Sequence, residues 1–153
     1  MEIRRACRED IPRILELLSQ VLEVHAKLRP DLFASGTTKY NQAQLEDMVN
    51  DDMNPIFVAE IDNEVVGYAF CQLRIPSGNM YPVRVLHLDD LCVDEKYRQQ
   101  HIGQQLFKFV LEEAKRRGCY EITLNSWNGN EAATKFYEKM GLKTRSRILE
   151  YIL

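Results

Sequence analysis

Hydrophobic residues in the N-terminal third of the chain recur at helical spacing. A short alternating run from Glu2 to Cys7 predicts a strand, and Asp10 then stands as a helix N-cap with Pro12 in the first turn. The apolar positions that follow fall on one helical face: Ile11, Ile14, Leu15, Leu18, Val21 and Leu22. This helix should end by Pro30, and a second short helix is predicted around residues 41–50.

After Pro55 the pattern changes to the alternation that is typical of strands. Residues 56–61 and 64–73 flank an Asp-Asn turn, which predicts an antiparallel hairpin. A third long strand is predicted from Val83 to Val93, after a loop rich in proline and glycine.

The C-terminal third alternates between helical and extended patterns. A helix is predicted from Leu106 to Arg117, closed by Gly118. The later elements are a strand from Tyr120 to Asn125, a helix from Asn130 to Lys139 ended by Gly141, and a last strand from Arg145 to Ile152. Strands with interleaved helices around one mixed sheet predict a single α/β (α+β) domain over residues 1–153.

Composition narrows the class of protein. Lys and Arg total 20 against 23 Asp and Glu, so no basic excess indicates nucleic acid or an anionic membrane as a partner. No signal-peptide core or membrane-spanning run is present, which favours a cytoplasmic location. The four cysteines form no Cys-x-x-Cys pair and the three histidines show no ligand spacing, so we expect no metal.

The turn before the helix of residues 106–117 is the most informative segment. Residues 97–106 read Tyr-Arg-Gln-Gln-His-Ile-Gly-Gln-Gln-Leu. A turn that opens a helix presents unpaired N–H groups and the positive end of the helix dipole, which suits an anion such as a pyrophosphate. Arg98 and Gly103 strengthen this interpretation. Spacing alone leaves an ordinary strand–helix connection open as the alternative.

Two segments together resemble a known family. Residues 91–103, Leu-Cys-Val-Asp-Glu-Lys-Tyr-Arg-Gln-Gln-His-Ile-Gly, resemble a strand, then Arg/Gln-x-x-Gly-x-Gly/Ala, then a helix. Residues 130–142, Asn-Glu-Ala-Ala-Thr-Lys-Phe-Tyr-Glu-Lys-Met-Gly-Leu, resemble Asn-x-x-Ala-x-x-aromatic-Tyr-x-x-x-Gly-Phe. In this order they resemble the GNAT family of N-acetyltransferases, and most of all its diamine and small-amine members. The resemblance implies a mixed, mostly antiparallel twisted sheet flanked by helices, and acetyl-CoA as co-substrate.

His101 departs from the family pattern, because it stands where the first glycine is usual. If that position needs a positive φ, a histidine there is strained. Its side chain could crowd the phosphates or, when protonated, pair with them. The alternatives are that it points to solvent while its N–H binds phosphate, or that coenzyme binding is lost, which the presence of Arg98 and Gly103 opposes.

The resemblance also implies which residues hold the coenzyme. The backbone amides of residues 100–104 would cradle the pyrophosphate, and the backbone of Leu91 and Val93 would pair with the pantetheine arm like an added strand. The Val93 N–H would donate to the thioester oxygen, and Asn130 would lie near the pantetheine or sulfur. The full implied set is Leu91, Val93, Arg98, Gln99, Gln100, His101, Ile102, Gly103, Gln104 and Asn130.

Direct transfer to an amine requires one proton to leave the amine and another to reach the departing thiolate. Tyr137 matches the family's acid, placed near the split between the strands that end at Val93 and begin at Tyr120. The alternative for Tyr137 is an aromatic residue of the core.

The base is expected on the strand that ends at Val93. Asp89 is the first choice, because its strand resembles that of diamine acetyltransferases, with Asp90 and His87 behind it. Strict alternation would place Asp89, Leu91 and Val93 on one face and Asp90 on the other. Aspartate is rare in strands, although a sheet-edge or solvent-facing acid is also possible here.

Three further groups could contact the acceptor. One follows the first helix, in a region that borders the acceptor site in this family: His25, Arg29 and Asp31. The second is an acidic patch that would suit a cationic acceptor, formed by Glu46, Asp47, Asp51 and Asp52, and the third is Trp127, which could line the site. A solvated helix end, a solvated acidic face and a core or rim tryptophan are their structural alternatives.

The sequence therefore predicts an acetyl-CoA-dependent N-acetyltransferase that acylates a primary amine, a small or polyamine-like acceptor, directly in a ternary complex. The alternatives are acetylation of a protein N-terminus or lysine, and a non-catalytic acetyl-CoA-binding regulatory module. The resemblance also allows a homodimer.

Overall fold

The structure is a computed structural model that describes all 153 residues. It has one open five-stranded sheet in the order β1-β2-β3-β4-β5, in which only the β4–β5 pair is parallel. The strands are β1 (Glu2–Arg5), β2 (Ile56–Ile61), β3 (Glu64–Arg74), β4 (Val85–Val93) and β5 (Glu121–Leu124). The helices are α1 (Ile11–Leu28), α2 (Gln42–Met48), α3 (Ile102–Arg116) and α4 (Glu131–Lys139). The predicted mixed, mostly antiparallel sheet is confirmed.

Two hydrophobic layers cover the sheet, one on each face. Helices α1 and α2 pack on one face through residues such as Ile14, Leu18 and Leu45, which contact Tyr68 and Phe70 of the sheet in one core. The opposite face carries α3, and α4 packs at its margin. This second core includes Leu86, Leu88, Leu106, Phe107 and Val110. None of the helices is both long and apolar enough to cross a bilayer.

Strands β4 and β5 part half-way along β4. Their parallel register runs from Val85 opposite Glu121 to Leu88 opposite Leu124, where β5 ends. Because β4 continues to Val93, its last five residues have only β3 beside them, and four of these, Asp90 to Val93, pair with it. The second half of β4 therefore has one open backbone edge.

A bulge at Asp89 interrupts the alternation of β4. Asp90 lies opposite Phe70, whereas the next residue of β3, Cys71, lies opposite Leu88, so Asp89 is the extra residue. Asp89 and Asp90 consequently both turn toward the α1 side of the sheet. The expectation that they lie on opposite faces is wrong, because one inserted residue reverses the alternation beyond it.

Two helix starts differ in detail from the predictions. Asp10 is the residue before α1, but its carboxylate does not cap that helix; it accepts hydrogen bonds from the Cys7 N–H at 2.8 Å and the Arg4 guanidinium at 2.7 Å. Helix α3 begins at Ile102 instead of Leu106. Its first turn carries Gln104 and Gln105, polar residues that form helix readily, so hydrophobic spacing alone placed its start too late.

The predicted last strand, Arg145 to Ile152, does not form. Residues 143–153 have no backbone pairing with the sheet, and the Ile148 and Tyr151 side chains are 92% and 89% exposed. Arg145 is held by Glu121 at 2.7 Å, and Glu150 by Arg29 at 2.6 Å. The alternating sequence encodes an extended segment, but a strand also needs a partner edge within hydrogen-bonding reach.

Candidate active site

The main cleft opens where β4 and β5 part. Its walls are the second half of β4, the first turn of α3, helix α4, the end of α1 and the C-terminal segment. Its volume is about 3130 Å³, which includes the gap beneath the C-terminal segment. Ligand pockets commonly measure about 300–1000 Å³, so this open cleft is larger than a pocket for a single small molecule.

The loop that enters α3 has the backbone geometry of an anion cradle. Gln99 and His101 both adopt left-handed conformations, with φ of +65° and +61°. Left-handed residues in such a turn gather successive N–H groups into a concave nest that binds anions. The first intrahelical bond is donated by the Gln105 N–H to His101, so the N–H groups of Ile102, Gly103 and Gln104 remain free for a ligand.

His101 therefore occupies a position that requires a positive φ. It is the residue before α3, its side chain is exposed, and it makes no capping hydrogen bond. A non-glycine residue in this region costs roughly 1–2 kcal/mol. The departure from glycine thus keeps the cradle but strains it.

The open edge of β4 presents the backbone groups that the sequence singled out. The Asp94 N–H donates to the Val66 carbonyl on β3 at 2.8 Å. Because successive residues of a strand point to opposite neighbours, the N–H and C=O groups of Leu91 and Val93 face away from β3, into the cleft. Arg98 reaches back from the loop and donates from Nε to the Val93 carbonyl at 3.2 Å, which links the cradle to this edge.

Gly103 and Asn130 lie at the starts of α3 and α4. A Cβ on Gly103 would lie 3.5 Å from the Phe136 ring, an ordinary contact, so α3 and α4 approach each other here without a steric need for glycine. The Asn130 Oδ1 accepts from the Ala133 N–H at 3.2 Å and caps α4. Both residues line the cleft.

The two aspartates of the bulge have different partners. Asp89 Oδ2 accepts from the Tyr40 hydroxyl at 2.9 Å and lies 2.8 Å from the Lys39 ammonium. Asp90 Oδ2 accepts from the Tyr68 hydroxyl at 2.8 Å. Burial raises the pKa of Asp90 to about 6, an effect that the Tyr68 hydrogen bond partly offsets.

His87 is less suited to act as a base than either aspartate. It is buried in the paired half of β4, and its Nδ1 lies 2.9 Å from the Thr123 hydroxyl on β5. Burial lowers the pKa of His87, so the ring is neutral at physiological pH. Its contact with Thr123 joins the two parallel strands.

Tyr137 projects from α4 toward the same cleft. Its ring packs edge-on against Phe107 and Phe136, with centroids 6.2 and 5.2 Å away. Burial, and then the negative charge of Asp90, raise the pKa of Tyr137. A phenol that stays protonated and has no hydrogen-bond partner in the chain can donate to a ligand in the cleft.

The far end of the cleft has an aromatic rim that sequence reasoning found only in part. Phe33 packs between His25, with ring centroids 5.1 Å apart in a tilted arrangement, and Trp127, at 5.2 Å and edge-on. No motif or periodicity marked Phe33, which lies in an irregular loop. Arg29 next to this rim is bound to Asp31 and Glu150, so its charge is neutralised within the chain.

The acidic residues around α2 do not contribute to the cleft. Glu46 is paired with Arg8 at 3.3 Å, and Asp51 accepts from the Met53 N–H at 2.8 Å. None of Glu46, Asp47, Asp51 and Asp52 is among the residues that line the cleft. Their position outside the cleft favours the alternative of a solvated acidic face.

A family comparison agrees with this geometry. The model of the acetyltransferase (GNAT) family matches residues 21–142. The chain belongs to this family. The GNAT family identifies it as an N-acetyltransferase and implies acetyl-CoA as co-substrate.

Curated relatives and solved structures add detail. Glucosamine 6-phosphate N-acetyltransferase of Trypanosoma brucei brucei is 28% identical over 147 residues, which cover 96% of this chain and 92% of that protein. N-alpha-acetyltransferase 30 of Schizosaccharomyces pombe is 31% identical over 97 residues, 63% of each chain. The structure of a tetramutant of the BH1408 protein from Bacillus halodurans superposes with a TM-score of 0.94 at 28% identity, with both chains fully covered.

A more distant structure shares the fold alone. Aminoglycoside N-acetyltransferase AAC(6')-Iy in complex with CoA has a TM-score of 0.76 at 20% identity, covering 99% of this chain and 98% of that one. The relatives are thus named for an amino sugar phosphate, for N-alpha-acetylation and for aminoglycosides. The narrower resemblance to diamine acetyltransferases stays a prediction.

Proposed function

We propose that this GNAT enzyme transfers the acetyl group of acetyl-CoA directly to the primary amine of a small molecule. The observation that carries the proposal is the open edge of β4, because it connects an anion cradle at one end with a pair of carboxylates at the other. Acetyl-CoA, when bound, supplies the activated acyl thioester. The residues of the chain bind it, orient it and move the protons.

Binding rests on the backbone of two neighbouring segments. The free amides of Ile102, Gly103 and Gln104 suit the pyrophosphate, with Gln99 and His101 in the conformations that shape the nest. The outward-facing groups of Leu91 and Val93 offer the hydrogen bonds of a missing strand to an extended arm. The Val93 N–H is suited to donate to an oxygen on which negative charge develops.

Asp89 is our proposed base. It lies at the start of the open half of β4, and its carboxylate already contacts an ammonium, that of Lys39. Asp90 is the second candidate, since it lies beside Asp89 on the same face and its raised pKa, about 6, suits a proton acceptor near neutral pH. The relative named for glucosamine 6-phosphate and our diamine resemblance both favour a small acceptor.

Tyr137 is our proposed acid. Its hydroxyl stays protonated, is unpartnered and faces the cleft near Asp90. In this role it gives its proton to the departing sulfur.

Release of free thiol from acetyl-CoA, measured with a panel of amines, tests the proposal. The panel should hold polyamines, glucosamine 6-phosphate, an aminoglycoside and peptides with a free N-terminus or lysine. Tyr137→Phe should lower kcat about 100-fold while coenzyme binding, measured by calorimetry, is retained. Tyr120→Phe, which changes an exposed tyrosine outside the cleft, is the matched control.

Each outcome decides between functions. Turnover confined to the peptides would favour the protein N-terminal or lysine alternative, which the N-alpha-acetyltransferase relative also supports. Coenzyme binding without turnover of any amine would favour a regulatory module. Full activity of Tyr137→Phe would refute the assignment of Tyr137 as the acid.

A further inference from the structure

A lysine of the chain itself stands beside the proposed base. Lys39 lies in the loop between α1 and α2, and its Nζ is 2.8 Å from Asp89 Oδ2. Its neighbour Tyr40 holds the loop in place, because its hydroxyl donates to the same oxygen and its ring stacks on Phe70 with centroids 5.4 Å apart. Lys39 is therefore positioned by a specific contact of its own loop.

The primary amine of Lys39 occupies the kind of position that an acceptor amine would need. Lys39 and Asp89 line the same cleft as Val93 and Tyr137. The lysine side chain is 44% exposed and carries four methylene groups, which gives its amine freedom to move within the cleft. We propose that Lys39 is a self-acetylation site, whose amine takes the acetyl group when no external acceptor is bound. This inference rests on the proposed function.

The reaction at Lys39 balances with the residues already described. The Lys39 ammonium passes one proton to Asp89, and its nitrogen forms a bond to the acetyl carbonyl carbon. The carbon–sulfur bond breaks, and the sulfur leaves with its electron pair and takes a proton from Tyr137. Asp89 returns one proton to Tyr137 through water. The nitrogen loses its second proton to solvent as the amide forms. The products are therefore acetyl-lysine at position 39, free coenzyme A thiol and that one released proton.

Lys115 provides a matched comparison within the same chain. It also pairs with a carboxylate, Glu112 at 2.6 Å, and is 69% exposed, but it lies on α3 outside the cleft. The two lysines therefore share an ion pair and accessibility to reagents. They differ in whether the ion pair faces the cleft.

Peptide mass spectrometry after incubation with acetyl-CoA, without an added amine, tests the proposal. Lys39 should be acetylated at least about ten times faster than Lys115, because its amine lies in the cleft beside Asp89, the proposed base, whereas that of Lys115 lies outside the cleft. N-acetoxysuccinimide, which acetylates amines without coenzyme, should modify the two lysines at similar rates. The rate constant of acetylation at Lys39 should not depend on protein concentration, because the reaction is intramolecular. An external amine that the enzyme acetylates should lower this rate constant.

Two variants make the test specific. Asp89→Asn should bring the Lys39 rate down to that of Lys115 and leave the Lys115 rate unchanged, with folding checked by thermal denaturation. Lys39→Arg should abolish the preferred acetylation, whereas Lys115→Arg should not. Equal rates at both lysines with acetyl-CoA, the same preference with N-acetoxysuccinimide, or a preference that persists in Asp89→Asn would each overturn the proposal.

The amine panel, run on the same preparations, separates this inference from the proposed function. Turnover of an external amine without acetylation of Lys39 overturns the self-acetylation alone. Coenzyme binding with neither external turnover nor acetylation of Lys39 overturns the proposed function as well. Acetylation of Lys39 without turnover of the panel supports the self-acetylation.

Discussion

The two halves of β4 differ in environment although they belong to one strand. Residues 85–88 are buried and have a strand on each side, β3 and β5. Residues 89–93 keep only β3, and their other edge faces the cleft. The first half consists mainly of hydrophobic residues, of which Leu86 and Leu88 belong to the α3 core, whereas the second half begins with two acids. The comparison shows that one strand can build the core where it is paired on both sides and present a free backbone edge to a cleft where it is not.

The bulge at Asp89 lies at the boundary between these halves. It allows Leu88 and Leu91 to face the α3 core while Asp89 and Asp90 both face the α1 side. Two neighbouring carboxylates on one partly buried face are costly unless each has a polar partner. Here the cost of burying the two carboxylates is offset by hydrogen bonds from the Tyr40 and Tyr68 hydroxyls and by the ion pair with Lys39.

Leu86→Ala and Leu91→Ala apply the same truncation to each half and should give the largest difference. Leu86 is fully buried, so its truncation should lower the free energy of unfolding by about 2–5 kcal/mol. Leu91 is partly exposed to the cleft, so the loss should be clearly smaller. Urea denaturation of both variants measures the difference. Equal losses would show that the open half is as tightly packed as the paired half.

Gly67→Ala tests how closely β3 approaches the open half of β4. A Cβ there would lie 2.8 Å from the Cys92 carbonyl oxygen and 3.1 Å from Leu106. We expect a loss of roughly 1–3 kcal/mol in the free energy of unfolding, because backbone must move. Gly103→Ala is the control, since its nearest neighbour, the Phe136 ring, would be at an ordinary 3.5 Å. A Gly67→Ala protein as stable as Gly103→Ala would contradict this close approach.

Asp90→Asn should show that the negative charge of Asp90, in the open half of β4, lowers the stability of the folded protein. Burial raises the pKa of Asp90 to about 6. The contribution of this carboxyl to folding stability is therefore fully present below its unfolded pKa, 3.8, and is lost as the pH rises through about 6. The asparagine can still accept from Tyr68, so the variant should gain about 1–3 kcal/mol over the wild type near pH 8.

Thermal unfolding across the pH range measures this gain, which should vanish at about pH 4 or below, where the wild-type carboxyl is protonated. Asp89→Asn is the control for removing a charge at the neighbouring position. It breaks the ion pair with Lys39 and should not stabilise the protein. A gain for Asp90→Asn that is independent of pH would rule out ionisation of Asp90 as its cause.

His101→Gly should have the smallest effect and concerns the loop that continues from the open half. Glycine adopts the observed φ of +61° without strain, so the folded state should be relieved by about 1 kcal/mol, partly offset by the greater freedom of glycine in the unfolded chain. Coenzyme affinity, measured by calorimetry, should be kept or increased. His101→Ala keeps the strain and is the control. Weaker binding by both variants would show that the imidazole itself contacts the coenzyme.

Much of the fold was predictable because its elements follow local periodicity. The hairpin of β2 and β3, the long strand β4 and helices α1, α3 and α4 appear where the hydrophobic spacing predicts them, with ends displaced by a few residues. The position of the anion loop and the candidate roles of Tyr137 and Asp89 came from motifs, which are also local. The strand expected at residues 145–152 failed because pairing depends on a distant edge.

The sequence by itself therefore determined the order of elements up to α4, the α/β class, the family and the position of the loop before α3. The tertiary structure alone decided where β5 leaves β4, that a bulge brings Asp89 and Asp90 to one face, and that Lys39 and Phe33 reach the cleft. The physical reason is the range of the forces involved. Periodicity and turn chemistry act between residues close in the chain, whereas register, strand separation and ion pairs depend on residues that only folding brings together.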